Sequence, residues 1–169
     1  MKKLTFINTI LATLLFSATP SVLANDAKFK VAVIKGAIGS VDITQGELAS
    51  GIKKLTASKK NKDFYASKMN LCVAYLQANY QEKSESACTD AIESLESMPN
   101  ANRKVKYLTA LNYSNRGVAR YRKNQLVAAL ADFKAAVAID QNLITNANLA
   151  NIRQLLPATK VDTNVELSD

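Results

Sequence analysis

Residues 113–142 read YSNRGVARYRKNQLVAALADFKAAVAIDQN, and this stretch decides the fold. Its second half places Leu126, Ala129, Leu130, Phe133, Ala136 and Val137 at steps of three, one, three, three and one, which is one face of an α-helix. Gly117 and Tyr121 belong to a preceding helix, and Lys123, Asn124 and Gln125 make a short polar turn between the two. Helices joined so tightly run antiparallel and pack together. Their closest approach needs small side chains, which Gly117, Ala129 and Ala136 supply.

This helical hairpin resembles the tetratricopeptide repeat, with its W-x2-L-G-x2-Y, A-x3-F and Pro signature. Tyr113 stands in the Trp place, Gly117 is the Gly, and Ala129 and Phe133 are the A-x3-F pair. Arg116 replaces the Leu, Arg120 takes the Tyr place with Tyr121 one residue on, and Gln141 replaces the Pro. A shift of 45 residues superposes a second copy without a gap: Asn70 on Asn115, Val73 on Val118, Ala74 on Ala119, Asn79 on Asn124, Ala91 on Ala136. In that copy Leu71 and Tyr75 restore the missing Leu and Tyr, Cys72 takes the Gly place and Cys88 the Phe place. Pro99, Asn100, Ala101 and Asn102 break the chain between copies, after which one long helix is expected over 103–123.

A half-repeat over 45–55 comes first, with Leu48, Gly51, Ile52 and Leu55 on one face. A capping helix over 147–156 comes last, carrying Leu149, Ile152 and Leu156 and stopped by Pro157. The fold expected from the resemblance is all-α, a TPR-like α-solenoid of stacked antiparallel helical hairpins spanning 44–156. It comprises two full repeats, the half-repeat and the cap. Residues 25–43 are expected to form an extended segment through Phe29, Val31 and Val33, and 157–169 a loose tail.

The resemblance also implies a concave surface that takes an extended peptide or a partner helix. Its candidate residues are Met69, Asn70, Val73, Leu76 and Gln77 in one repeat, with Ser114, Asn115, Val118, Tyr121 and Arg122 in the next. Members that grip a terminal carboxylate combine Lys, Arg and Asn at these places, and here only the two asparagines and Arg122 match. Met69, Val73, Leu76, Val118 and Tyr121 make the stripe mostly apolar, suited to an amphipathic or extended segment. Two occupants are open: a protein or peptide partner, or the chain's own residues 28–38, since an uncovered apolar patch is a liability.

The register places Cys72 and Cys88 on facing helices of one hairpin, within reach of a disulfide. Free buried thiols or a redox pair are the alternatives, and the C-x-x-C spacing of a redox pair is absent.

The start of the chain reads as a secretory signal peptide over 1–24: a Lys2-Lys3 start, a mostly apolar run from Leu4 to Phe16, and a small-residue site ending at Ala24. That run is shorter than the roughly 20 residues of a membrane-spanning helix. Cleavage after Ala24 and a periplasmic location are the expectations, and an oxidising compartment favours the disulfide.

Composition narrows the chemistry. There is no histidine and no tryptophan, with two cysteines, five glycines and three prolines. No His-based triad or dyad can be built, two cysteines alone do not complete a zinc site, and no Gly-rich phosphate string occurs. Glu82, Glu85, Asp90, Glu93 and Glu96 recur at helical spacing, which reads as a solvated face. The chain is therefore expected to be a non-enzymatic interaction or scaffold module of the bacterial envelope. No catalytic residue, cofactor, metal, nucleic-acid partner or membrane span is expected, and homo-oligomerisation is left open.

The net charge of +8 keeps one alternative in view, a basic protein binding acidic envelope polymers. Its clusters would be Lys53, Lys54, Lys59, Lys60 and Lys62, then Arg103, Lys104 and Lys106, then Arg116, Arg120 and Lys123 on one helix face. Solvated basic faces are the plainer expectation. The glycosylation-type triplet Asn112-Tyr113-Ser114 falls inside a helix and reads as chance.

Overall fold

The structure, a computed structural model, describes residues 29–58, 64–98 and 102–156. Residues 1–24, expected to be a signal peptide, residues 157–169, expected to be a tail, Lys59, Lys60, Lys62 and the expected break at 99–101 lie outside the described residues. The described chain is all-helical, with seven helices and no strand: α1 Ser40–Gln45, α2 Leu48–Ala57, α3 Phe64–Gln77, α4 Gln81–Glu96, α5 Arg103–Arg122, α6 Leu126–Ile139 and α7 Leu143–Leu155.

Local chemistry sets the boundaries. The side chain of Asn102 accepts a hydrogen bond from the Val105 amide and caps α5. Asn142 and Thr145 form a reciprocal capping box, which starts α7 at Leu143, earlier than the Ala147 expected from the apolar pattern. The same turn closes two hairpins. Asn79 between α3 and α4, and Asn124 between α5 and α6, both have φ of 59°, a left-handed conformation that asparagine tolerates. In each, the next amide reaches back five residues, Tyr80 to the Tyr75 carbonyl and Gln125 to the Arg120 carbonyl.

Each helix packs on its successor from α1 to α7; α1 also contacts α3, and α5 also contacts α3 and α7. Within α5–α6 the packing depends on Gly117. A Cβ there would sit 2.7 Å from Phe133 Cε1, so the ring of Phe133 fills the space that glycine leaves. The equivalent contact in α3–α4 is covalent. Cys72 and Cys88, both fully buried, are joined with their Cα atoms 4.7 Å apart. Forty-five residues apart, one hairpin is pinned by a glycine under an aromatic ring and the other by a disulfide.

The N-terminal stretch differs from its expected extent. The irregular, extended run covers residues 29–34, and α1 begins at Ser40, inside the region 25–43 expected to be extended. Gly39 and Gly46, at φ of 73° and 81°, bound this short helix. A Cβ on Gly39 would stand 2.8 Å from Leu55 Cδ1, so the turn that seats α1 on α2 has no room for a side chain.

Candidate functional site

The groove lies along α3, α5 and α7, and residues 29–34 run through it. Three asparagines, one per helix and each fully buried, hold the backbone of alternate residues. The Ile34 amide donates to Asn70 Oδ1 at 2.8 Å, and Asn70 Nδ2 donates to the Ile34 carbonyl at 3.2 Å. The Ala32 amide donates to Asn115 Oδ1 at 2.9 Å, and Asn115 Nδ2 returns a bond to the Ala32 carbonyl at 3.0 Å. The Lys30 amide donates to Asn148 Oδ1 at 2.8 Å, and Asn148 Nδ2 donates to the Lys30 carbonyl at 2.7 Å. A primary amide is suited to this, because its oxygen accepts and its nitrogen donates on one planar edge. The segment thus gains ladder-like bonding with side chains as the second strand.

Side chains of the segment divide as an extended chain requires. Phe29, Val31 and Val33 pack against one apolar cluster, which contains Val73, Leu76, Val118 and Phe133. Ala32 and Ile34 pack against the other, which contains Met69, Leu95, Leu108 and Leu111. The Phe29 ring stacks on Phe133 at 5.4 Å between centroids and meets Tyr121 at 4.6 Å. Lys30 is exposed.

The expected groove residues therefore gather, under the chain's own segment. Asn70 and Asn115 hold its backbone, and Tyr121 packs on Phe29. Met69, Val73, Leu76 and Val118 are 0–1% exposed. Ser114 is buried and its hydroxyl oxygen accepts from Asn148 Nδ2 at 2.9 Å, which orients that amide. Arg122 is half-buried and donates from Nη1 to the Leu76 carbonyl, linking α5 to α3. Gln77 is exposed.

Asn148 and Phe133 complete the site, and neither was expected in it. Asn148 follows Asn115 by 33 residues, close to the repeat period, so a register comparison of the cap would have found it.

Charges are arranged differently from expectation. Arg116, Arg120 and Lys123 are not a solvated basic face but the middle of an ion-pair network. Arg116 grips Asp132 with Nε at 2.9 Å and Nη2 at 2.8 Å, and Arg120 Nη1 reaches the same carboxylate at 3.0 Å. Arg120 Nε also meets Glu85 at 3.1 Å, while Lys123 bonds Glu85 at 2.7 Å and Glu82 at 2.8 Å. Tyr113 donates to Glu96 at 3.0 Å. Along α5 the order 113, 116, 120, 123 meets the descending order Glu96, Thr89, Glu85, Glu82 on α4, so the two helices zip antiparallel. Lys123, with Arg120 behind it, holds the Glu85 carboxyl below its ordinary range. Asp132, 3% exposed, is paired with two guanidinium groups, which compensate its burial.

Among the other basic residues, Lys54 pairs with Asp42 at 2.7 Å, while Lys53, Arg103, Lys104 and Lys106 are exposed. Asn112 of the glycosylation-type triplet is fully buried in α5, donating to the Leu108 carbonyl. Two shallow clefts lie along α4, one lined by Asn79 to Lys83 and one by Glu82, Glu85, Ser86, Thr89 and Asp90. Among the described residues no cluster of three or more acidic or cysteine side chains is placed to hold a metal, and no helix is long and apolar enough to cross a membrane.

No family model, curated protein or solved structure matches the chain.

Proposed function

We propose that this chain is a TPR-like peptide-binding module of the bacterial envelope, and that its concave surface receives an extended polypeptide segment. The observation that carries this reading is the row of Asn70, Asn115 and Asn148, which takes up both backbone polar groups of every second residue in an extended chain. Backbone capture of this kind supplies affinity without reading side chains, and flanking apolar pockets supply selectivity. The segment now seated, residues 29–34, acts as a tethered pseudo-ligand that a partner displaces. A periplasmic setting agrees with the signal-type N-terminus and with the Cys72–Cys88 bridge. Binding of acidic polymers is the weaker reading, because the Arg116, Arg120 and Lys123 cluster is already neutralised by Asp132, Glu85 and Glu82.

A photo-crosslinking residue at Tyr121, on the rim beside Phe29, tests the proposal in the cell that makes the protein. The expected result is an adduct to a second polypeptide, mapped by mass spectrometry to an extended segment and lost in Asn115→Ala. Adducts confined to the chain's own residues 29–34 under every condition contradict it.

A further inference from the structure

We infer that the groove selects an internal stretch of a partner chain with an aromatic residue at one position and a small residue three places on, flanked on both sides by β-branched residues. This is the pattern of Phe29, Val31, Ala32 and Val33, and the inference rests on the peptide-binding reading above.

The choice of an internal stretch follows from the clamps. Each asparagine amide takes one N–H and one C=O of the same residue, which is the complete polar inventory of a mid-chain residue. These clamps are neutral and balanced between donors and acceptors, whereas a terminal carboxylate calls for cationic donors.

Selection for an aromatic residue comes from the shape of one end. Phe133 occupies the space that Gly117 leaves, and in that position its ring lies parallel to Phe29, with an interplanar angle of 3°. Tyr121 also meets the Phe29 ring, tilted, with 4.6 Å between centroids. A second aromatic ring fits there with contacts that an aliphatic side chain does not reproduce.

Selection for a small residue comes from the middle clamp. Ala32 is 7% exposed, in a cluster with Met69, Leu108 and Leu111, and both of its backbone groups are tied to Asn115. A longer side chain cannot be relieved by sliding the backbone without breaking those bonds. By contrast, Lys30 points to solvent, so its position imposes no side-chain requirement.

The test frees the chain's own segment without removing it. A specific protease site is inserted after Lys35, in the turn before α1, where the surroundings of Gly36 are open. The folded full-length chain is then cut, and a fluorescent peptide with the sequence of residues 27–36 is added, alongside versions carrying Lys30→Ser, Phe29→Ala or Ala32→Leu. The parent and Lys30→Ser peptides are expected to bind within about twofold of each other, and Phe29→Ala and Ala32→Leu at least about tenfold more weakly. The uncut chain is expected to bind the parent peptide roughly 100-fold more weakly, because the tethered segment competes at high effective concentration. Equal binding of all four peptides overturns the selection pattern and leaves peptide binding standing. A cut chain that keeps its own fragment against millimolar parent peptide, or takes up none of the four after losing it, overturns the peptide-binding reading itself.

Discussion

Replacing Asn115 with alanine is expected to lower the stability of the folded chain by about 2–4 kcal/mol, the cost of leaving two buried backbone groups without partners. Asn115 is fully buried, and it alone satisfies the amide and the carbonyl of Ala32, itself 7% exposed. If the segment peels away instead, Phe29 loses its stacking on Phe133 and the apolar floor of Met69, Val73 and Val118 is uncovered. Either route costs free energy, because the groove has no polar substitute for the clamp. Asn112 provides the comparison. It is equally buried and lies on the same helix, but its amide nitrogen donates only to the Leu108 carbonyl one turn back. Asn112→Ala is therefore expected to cost about 1 kcal/mol, the net worth of one hydrogen bond. Denaturant midpoints of the two variants check this, and equal losses would deny the clamp its special role.

Breaking the Cys72–Cys88 bridge is expected to cost a further large amount, about 3 kcal/mol in the chain-entropy description of a loop of this size. The sequence separation is 16, and the bridge stands where the second hairpin uses Gly117 and Phe133. With Cys72→Ala and Cys88→Ala together, the α3–α4 hairpin keeps its αL turn at Asn79 but loses its only covalent pin. The α5–α6 hairpin retains its own contact and the ion pairs to Asp132. A fall in the thermal midpoint of about 10 °C follows for a chain of this length. Thermal unfolding with and without reductant measures it, and an unchanged midpoint under reduction would show that the bridge adds nothing to stability.

Features carried by short-range pattern were legible in the sequence. The 113–142 hairpin, its Asn124 turn and the close approach at Gly117 all depend on residues within one supersecondary unit, although Phe133 packs nearest to Gly117 where Ala129 and Ala136 were expected. Superposing the copies at 45 residues then extended the same reading to Asn79 and to the cysteine pair. Asn70 and Asn115 were legible for the same reason.

What was not legible depends on contacts between distant segments. The partners of Arg116 and Arg120 are Asp132 on α6 and Glu85 on α4, and no spacing rule along one helix reveals them. Helix α1 is a six-residue element boxed by Gly39 and Gly46, too short to show an apolar period. Asn148 was hidden behind Leu149 and Ile152, whose apolar face sufficed to define a cap. The alternation of Phe29, Val31 and Val33 announced an extended chain, but the surface it meets is set by helices up to 118 residues away. The sequence left two occupants of the groove open, and the fold seats the chain's own.

That seating has a direct signature in amide hydrogen exchange. The amides of Lys30, Ala32 and Ile34 each donate to an asparagine, whereas those of Val31 and Val33, among the described residues, have no protein acceptor. Residue-resolved exchange on the uncut full-length chain is expected to show protection at 30, 32 and 34 exceeding that at 31 and 33 by at least about two orders of magnitude. Asn115→Ala should abolish the alternation at Ala32 first. Uniformly fast exchange across residues 29–34 would mean that the segment does not occupy the groove, and would contradict the clamp.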